Sequence, residues 1–213
     1  MKIALIHAVD IAIEPIKRAF ENEWQDAEIV HLWDQTLSTE RAKTDALTPF
    51  LYQRVNSLYE LARDADVDAV MFTCSAFGEA IEALAMRSDI PVLKPNQAMF
   101  QQALELNKPI AMLGTFEPAM QGMIQEFHQQ GEETVQLETL CSPEARAALN
   151  QGDLDAHNQL LLQKVKSLNG IDAVMLAHFS SSVAKSLIEQ ETQKTVLSSP
   201  ECAVRYLKRV LCS

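Results

Sequence analysis

Two residues at matched places in this chain can both exchange protons near neutral pH. Cys74 stands in DAVMFTCSAFG, Asp68 to Gly78, and His178 stands in DAVMLAHFSSS, Asp172 to Ser182. The chain writes one apolar run twice, beginning at residue 68 and again at residue 172, an offset of 104. One copy ends on a thiol and the other on an imidazole. A carbon acid needs a base on one face to lose its proton, and inversion of configuration needs an acid on the other. Cysteine, with an ordinary pKa of about 8.5, and histidine, at about 6.5, lie close enough to neutrality for both tasks. A helix that starts directly after such a residue lends backbone N–H groups and the positive end of its dipole. These favour a thiolate and can hold a substrate carboxylate. Ser75 and Ala76 supply those groups after the cysteine, and Phe179, Ser180 and Ser181 after the histidine. Ser75, Ser180 and Ser181 can add hydroxyls.

The elements that must position these residues repeat as well. Leu58 pairs with Leu162, Val67 with Ile171, Ala80 with Ala184, and Val92-Leu93 with Val196-Leu197, all in the same ungapped register. With a small shift, KIALIHA (Lys2 to Ala8) matches PIAMLGT (Pro109 to Thr115), and AEIVHLWD (Ala27 to Asp34) matches TVQLETLC (Thr134 to Cys141). IALIH, EIVHLW, DAVMFT and PVL are short apolar runs, as expected for strands covered on both faces. TPFLYQRVNSLYELAR from Thr48 and LDAHNQLLLQKVKSL from Leu154 carry helical patterns. Each half therefore reads strand, helix, strand, long helix, strand, helix, strand, helix. That alternation implies parallel sheets with right-handed crossovers.

The expected fold is α/β, with two pseudo-symmetric, doubly wound parallel-sheet lobes and the site in the cleft between them. Residues 1–107 form the N-terminal lobe, whose last helix is free to pack on the other lobe, and residues 108–213 form the C-terminal lobe. The boundary falls in the turn Leu106-Asn107-Lys108-Pro109. In open parallel sheets ligands bind beyond the carboxyl ends of the strands, where Cys74 and His178 both fall. A pseudo-twofold that brings the lobes face to face then presents the two side chains to one ligand from opposite sides.

Other residues reach the same strand ends. His7 and Asp10 in IHAVD end the first strand and are expected to contact substrate. Thr115 and Phe116 follow the fifth strand and are expected to close the pocket. Asp34 ends the second strand and suits a cap for the next element. Glu117, beside Pro118, opens the next helix, and the VLKP and VLSSP segments open the last helix of each lobe. Cys141, Cys202 and Cys212 read as inert packing, and His128 and His157 as solvent-facing helix positions. A Cys/His hydrolase is a different reading of the same pair, but TCSAFG lacks the G-x-S-x-G spacing and no third residue orients the histidine. His7, His31, Asp34 and His178 have no recognisable metal-ligand spacing, and neither GxGxxG nor a P-loop is present.

Two α/β lobes, each with a strand that ends at a reactive position, resemble the aspartate/glutamate/hydantoin racemase superfamily, which includes arylmalonate decarboxylase and maleate cis-trans isomerase. The pieces that carry the resemblance are FTCSAFG, LAHFSSS, GTFEP and VLSSPECAV. The resemblance implies catalytic roles for Cys74 and His178 and carboxylate-binding roles for Ser75, Ala76, Thr115, Phe179 and Ser180. It implies a cofactor-independent racemase or epimerase that acts on a carboxylate-bearing carbon acid, an amino acid or a derivative, and functions in amino acid metabolism as a homodimer. In the racemases both strand ends usually carry cysteine, so His178 is a departure. Arylmalonate decarboxylase also keeps a single cysteine, but at the second position. A one-cysteine decarboxylase or isomerase therefore stands as the alternative.

Composition narrows the rest. The 213 residues are 47% hydrophobic and 22% charged, as in an ordinary globular protein. The net charge of −11, without a Lys/Arg cluster, argues against a nucleic-acid surface or an anionic membrane. No apolar run approaches the ~18 residues of a membrane span, and MKIALIHAVD reads as a first strand rather than a signal peptide. Four cysteines without a CxxC pair suit the reducing cytoplasm.

Overall fold

The computed structural model describes residues 1–44, 46–131 and 135–212. Thr134, where the second copy of the second strand was expected to start, lies outside the described residues. The first half runs β1 (Lys2–His7), α1 (Ile13–Glu23), β2 (Glu28–Trp33), α2 (Gln35–Arg41), α3 (Pro49–Asp64), β3 (Ala69–Phe72), α4 (Gly78–Ala85), β4 (Val92–Leu93) and α5 (Gln97–Leu106). The second half runs β5 (Ile110–Gly114), α6 (Glu117–Gln130), β6 (Leu137–Cys141), α7 (Pro143–Asn150), α8 (Leu154–Lys166), β7 (Ala173–Leu176), α9 (Lys185–Thr192), β8 (Thr195–Ser198) and α10 (Ser199–Cys212). The strands pair in parallel, in the order β2-β1-β3-β4 in one sheet and β6-β5-β7-β8 in the other. The two halves thus share one topology.

Side-chain parity explains why these runs form central strands. In the first sheet Ala4, Ile6, Val70 and Phe72 share a face and pack under Leu51, Val55 and Tyr59 of α3 and Ile81 and Leu84 of α4. In the second, Ala111, Leu113, Val174 and Leu176 pack under Leu161, Leu162 and Val165 of α8 and Ile188 of α9. The other face is covered too, for Ile3, Leu5, Met71, Met112 and Met175 are also fully buried. Each such side chain contributes about 1.5–3 kcal/mol on burial, which outweighs the weak helix preference of runs this short.

Two short helices exceed the expected order. Asp34 starts α2 by accepting from the backbone N–H of Thr36 at 2.9 Å, and Pro143 lies in the first turn of α7. Both helices follow the edge strand of their sheet. The α3 and α8 starts are capped by Thr48, which accepts from Leu51 N–H, and by Asp153, which accepts from Ala156 N–H.

The chain forms two compact units. One comprises Met1–Pro95 with the chain from Ala203 onward, and the other comprises Asn96–Cys202. The turn at Asn107, a left-handed residue with φ 49° that closes α5, separates the two sheets but not the two units. Helix α5 belongs with the second sheet, where the Ser199 hydroxyl donates to Asn96 Oδ1 and Cys202 Sγ lies 3.2 Å from Gln102 Oε1. Most of α10 belongs with the first. There Arg205 pairs with Glu23 at 2.6 Å and Lys208 donates to the Glu23 carbonyl at 2.8 Å, at the end of α1.

Candidate active site

Each unit ends its third strand on a corner of the same shape. In the first, Thr73 N–H continues the ladder to Ile6 C=O at 3.0 Å, and Cys74 follows with φ −121° and ψ 122°. A 3-10 turn, Ser75–Phe77, then leads into α4. In the second, Ala177 N–H donates to Leu113 C=O at 3.1 Å, and His178 follows with φ −119° and ψ 140°. A 3-10 turn, Phe179–Ala184, leads into α9. The 104-residue offset holds from Ala69–Phe72 onto Ala173–Leu176 and on to both turn starts. Backbone geometry matches although the side chains do not.

Cys74 is half-buried and packs against the apolar cluster of its unit. Ser75 and Ala76 are half-buried, and Arg41 Nε donates to the Ala76 carbonyl at 3.0 Å, tying the end of α2 to this turn. After His178, Phe179 and Ser180 are buried. The Ser181 hydroxyl donates to the His178 carbonyl at 2.7 Å and therefore serves the turn itself.

His7 is completely buried beside this first corner. Its Nδ1 lies 2.9 Å from Thr73 Oγ1 and its Nε2 2.9 Å from His31 Nδ1. The Thr73 hydroxyl donates to Ile6 C=O at 3.3 Å, so it accepts from His7 Nδ1–H, and His7 Nε2 accepts from His31 Nδ1–H. Both ring nitrogens of His7 are engaged within the fold. Burial, reinforced by the neighbouring His31, lowers the His7 pKa to about 4. Burial and then the charge of Lys17 also lower that of His31, on the exposed edge strand β2. Asp10 is exposed, and its carboxylate accepts from Ile11 N–H at 2.8 Å, opening a short 3-10 turn.

In the second unit the His178 ring leans on strand β5. The Thr115 backbone N–H donates to His178 Nδ1 at 3.0 Å. Gly114 makes room for the contact, because a Cβ there would stand 3.2 Å from His178 Cε1 and 2.2 Å from Met120 Sδ. Among the described residues, His178 Nε2 and Thr115 Oγ1 are buried without a hydrogen-bond partner. Burial, then the positive charge of Arg146, lowers the His178 pKa to about 3. Arg146 also lies over the Phe116 ring, 4.5 Å from its centroid.

Sequence reasoning missed two of these residues. Arg146 sits in PEARAALN, where nothing in the spacing marks it. His157, expected to face solvent, is fully buried, with Nδ1 donating to Ala145 C=O at 2.9 Å. Its position four and eight residues before the buried Leu161 and Val165 is the signal that places it on the inner stripe of α8.

The remaining cysteines divide by environment. Burial, then a hydrogen bond with Glu117, pushes the Cys141 thiol up to about 12. Cys202 is buried and Cys212 exposed. Among the described residues no group of three or more His, Cys, Asp or Glu is arranged to hold a metal ion. His7 and His31 do meet, but Asp34 turns to Arg54. No helix among the described residues is long and apolar enough to cross a membrane.

Two parallel α/β sheets of one topology, whose third strands end on corners of matched backbone at Cys74 and His178, define a racemase-type architecture. Residues 13–207 match the Asp/Glu/Hydantoin racemase family, and the chain belongs to it. Solved structures agree on the fold. Glutamate racemase isoform RacE1 from Bacillus anthracis superposes with a TM-score of 0.76 at 17% identity, covering 99% of this chain and 81% of that one. Aspartate racemase from Picrophilus torridus gives 0.76 at 12% identity, covering 98% and 93%. Allantoin racemase from Klebsiella pneumoniae gives 0.73 at 15% identity, covering 100% and 88%. No curated protein sequence matches the chain. Family and fold support racemase or isomerase activity on amino acid-like substrates.

Proposed function

We propose that this protein is a cofactor-independent racemase- or epimerase-type isomerase that exchanges the proton on the carbon beside the carboxylate of an amino acid or amino acid derivative. Cys74 takes and returns that proton, and His178 is the second group that acts on the same substrate. The observation that carries this reading is the matched backbone of the two corners, φ −121° and ψ 122° at Cys74 against φ −119° and ψ 140° at His178. Family membership supplies the reaction type, and the neighbours' names supply glutamate and aspartate as carboxylate-bearing trial substrates and allantoin, whose acidic carbon lies beside an amide carbonyl instead, as a third. Two forms of the reading differ in whether His178 itself exchanges a proton. Only the two-sided form inverts configuration. The one-sided form, with exchange at Cys74 alone, is the alternative one-cysteine decarboxylase or isomerase, and the engagement of His178 Nδ1 with Thr115 N–H supports it.

Incubation with each enantiomer of the three substrates in D2O, followed by NMR, tests the reading. Deuterium enters the acidic carbon with the purified protein and no added pyridoxal phosphate, nucleotide or metal. Cys74→Ala lowers that rate by at least about 100-fold, the low end for removal of a general base. A trapped acyl-enzyme at Cys74, or an absolute requirement for a metal ion, refutes it.

A further inference from the structure

Strand β2 forms one edge of the first sheet, and α1 covers one of its faces only in part. Ile29 and His31 stand on that face, in register with Ile3 and Leu5 of β1. On α1, Lys17, Phe20, Glu21 and Trp24 recur at intervals of three and four, so they form one stripe along the helix and its end. Between stripe and strand lies a groove of about 310 Å³, at the small end of the range for ligand sites, roughly 300–1,000 Å³. Phe20, Trp24 and Ile29 form its apolar wall, and the two rings are buried and stacked 6.2 Å apart at 27°. Lys17, Glu21 and His31 supply its polar groups. Lys17 Nζ meets Glu21 Oε1 at 3.8 Å, and both side chains are more than half exposed. Exposed pairs of this kind add little to stability, so parting them costs little. His31 gives its Nδ1–H to His7 and so offers Nε2 as a bare acceptor. Burial, then the charge of Lys17, lowers the His31 pKa, which keeps that nitrogen unprotonated.

We propose that this groove binds an α-amino acid with an apolar side chain, at a place separate from the Cys74 corner. The three polar groups differ in kind and match such a ligand one by one. Its carboxylate accepts from the Lys17 ammonium. Its ammonium donates to the Glu21 carboxylate and to His31 Nε2. The side chain lies along Phe20, Trp24 and Ile29, where covering apolar surface drives association. A simple carboxylate would set its charge against Glu21, and a simple amine against Lys17. A zwitterion meets both. Among the described residues no cysteine lines the groove, so the occupant is held and not turned over. His31 is also the outer member of the chain His31–His7–Thr73, which ends one residue before Cys74. A ligand at His31 Nε2 therefore touches the ring that holds His7. The proposal stands apart from the carbon-acid reading of the protein.

Trp24 reports on the groove directly. Trp33→Phe removes the other of the chain's two tryptophans, an exposed residue at the end of β2, and leaves Trp24 as the sole source of tryptophan emission. Titration of this variant with L-leucine or L-phenylalanine is expected to shift that emission and to saturate at millimolar concentration, as suits so small a ligand. Lys17→Met and Glu21→Gln, each on that background, are expected to weaken binding about 10-fold or more, the loss that follows from removing one charge-assisted hydrogen bond. Both side chains are exposed, and the variants are expected to melt as the parent does. Two analogues test the zwitterion. Isocaproate lacks the ammonium of leucine and isoamylamine its carboxylate, and each is expected to bind at least about 10-fold more weakly. No saturable change with either amino acid overturns the proposal, as does binding that both variants leave intact. Equal binding of leucine and either analogue overturns it too. Deuterium exchange enters none of these readings, so their outcome is independent of any activity at Cys74.

Discussion

The matched placement of Cys74 and His178 was legible because each ends a repeated apolar run, but the protonation state of the histidine was not. That state depends on an amide 63 residues away in sequence and on Arg146, neither of which a spacing argument reaches. His7 and His157 are similar cases, for their types are visible in sequence and their partners are not. All three rings have pKa values lowered first by burial: His7 to about 4, His178 to about 3, and His157 downward. Their neutral forms are favoured in the fold, whereas the unfolded chain takes up protons near the ordinary value of about 6.5. Between about pH 6.5 and 3 the unfolded state therefore binds more protons, and stability must fall as pH falls. The contribution is complete above pH 6.5. Urea unfolding from pH 8 to 5, where carboxylates still carry charge, is expected to show a midpoint that holds steady and then declines. His7→Asn is expected to be less stable throughout and to show a shallower decline. A midpoint that rises on acidification across this range would contradict the burial of these rings.

At the scale of elements, the strands and long helices followed from apolar runs and repeat register, and α3 and α8 begin within two residues of the pattern read from sequence. Helices α2 and α7 did not, being short and dependent on how they start rather than on a long apolar stripe. Asp34 shows the difference. The residue was visible as a cap, but the helix it begins was not. Its carboxylate takes the Thr36 N–H at 2.9 Å and also meets Arg54 of α3, while Arg41 at the other end of α2 holds the turn after Cys74. Asp34→Ala is expected to cost about 1 kcal/mol through loss of the cap, measured as a lower urea midpoint with unchanged slope. Asp34→Asn keeps the accepting oxygen and is expected to lose less. If the two variants are equally destabilised, the cap is not what Asp34 contributes.

For the whole molecule, the parallel α/β class, the twofold repetition of one topology and the freedom of α5 to pack on the other lobe were readable, whereas the place of α10 was not. The turn at Asn107 looked like a boundary because it separates the copies in sequence. Packing ignores it, since α5 goes with the second sheet and α10 from Ala203 goes with the first. Neither segment of a chain cut after residue 107 holds a complete unit. Residues 1–107 and 108–213 expressed apart are each expected to lack a cooperative thermal transition, and mixing them is expected to restore one. A sharp melt from either segment alone would show that the exchanged helices are dispensable.

The attachment of Glu23 to Arg205 and Lys208 also sets an order of completion during translation. The ribosome delivers residues 1–95 early, yet their unit lacks its closing helix until the 107 residues from 96 to 202 have been added. At about 5–20 residues per second that interval is roughly 5–20 s. Throughout it the nascent first sheet is present with the end of α1 uncovered, while the second unit is still emerging. The half of the protein that is made first is finished last, and the bearer of Cys74 is the half that waits.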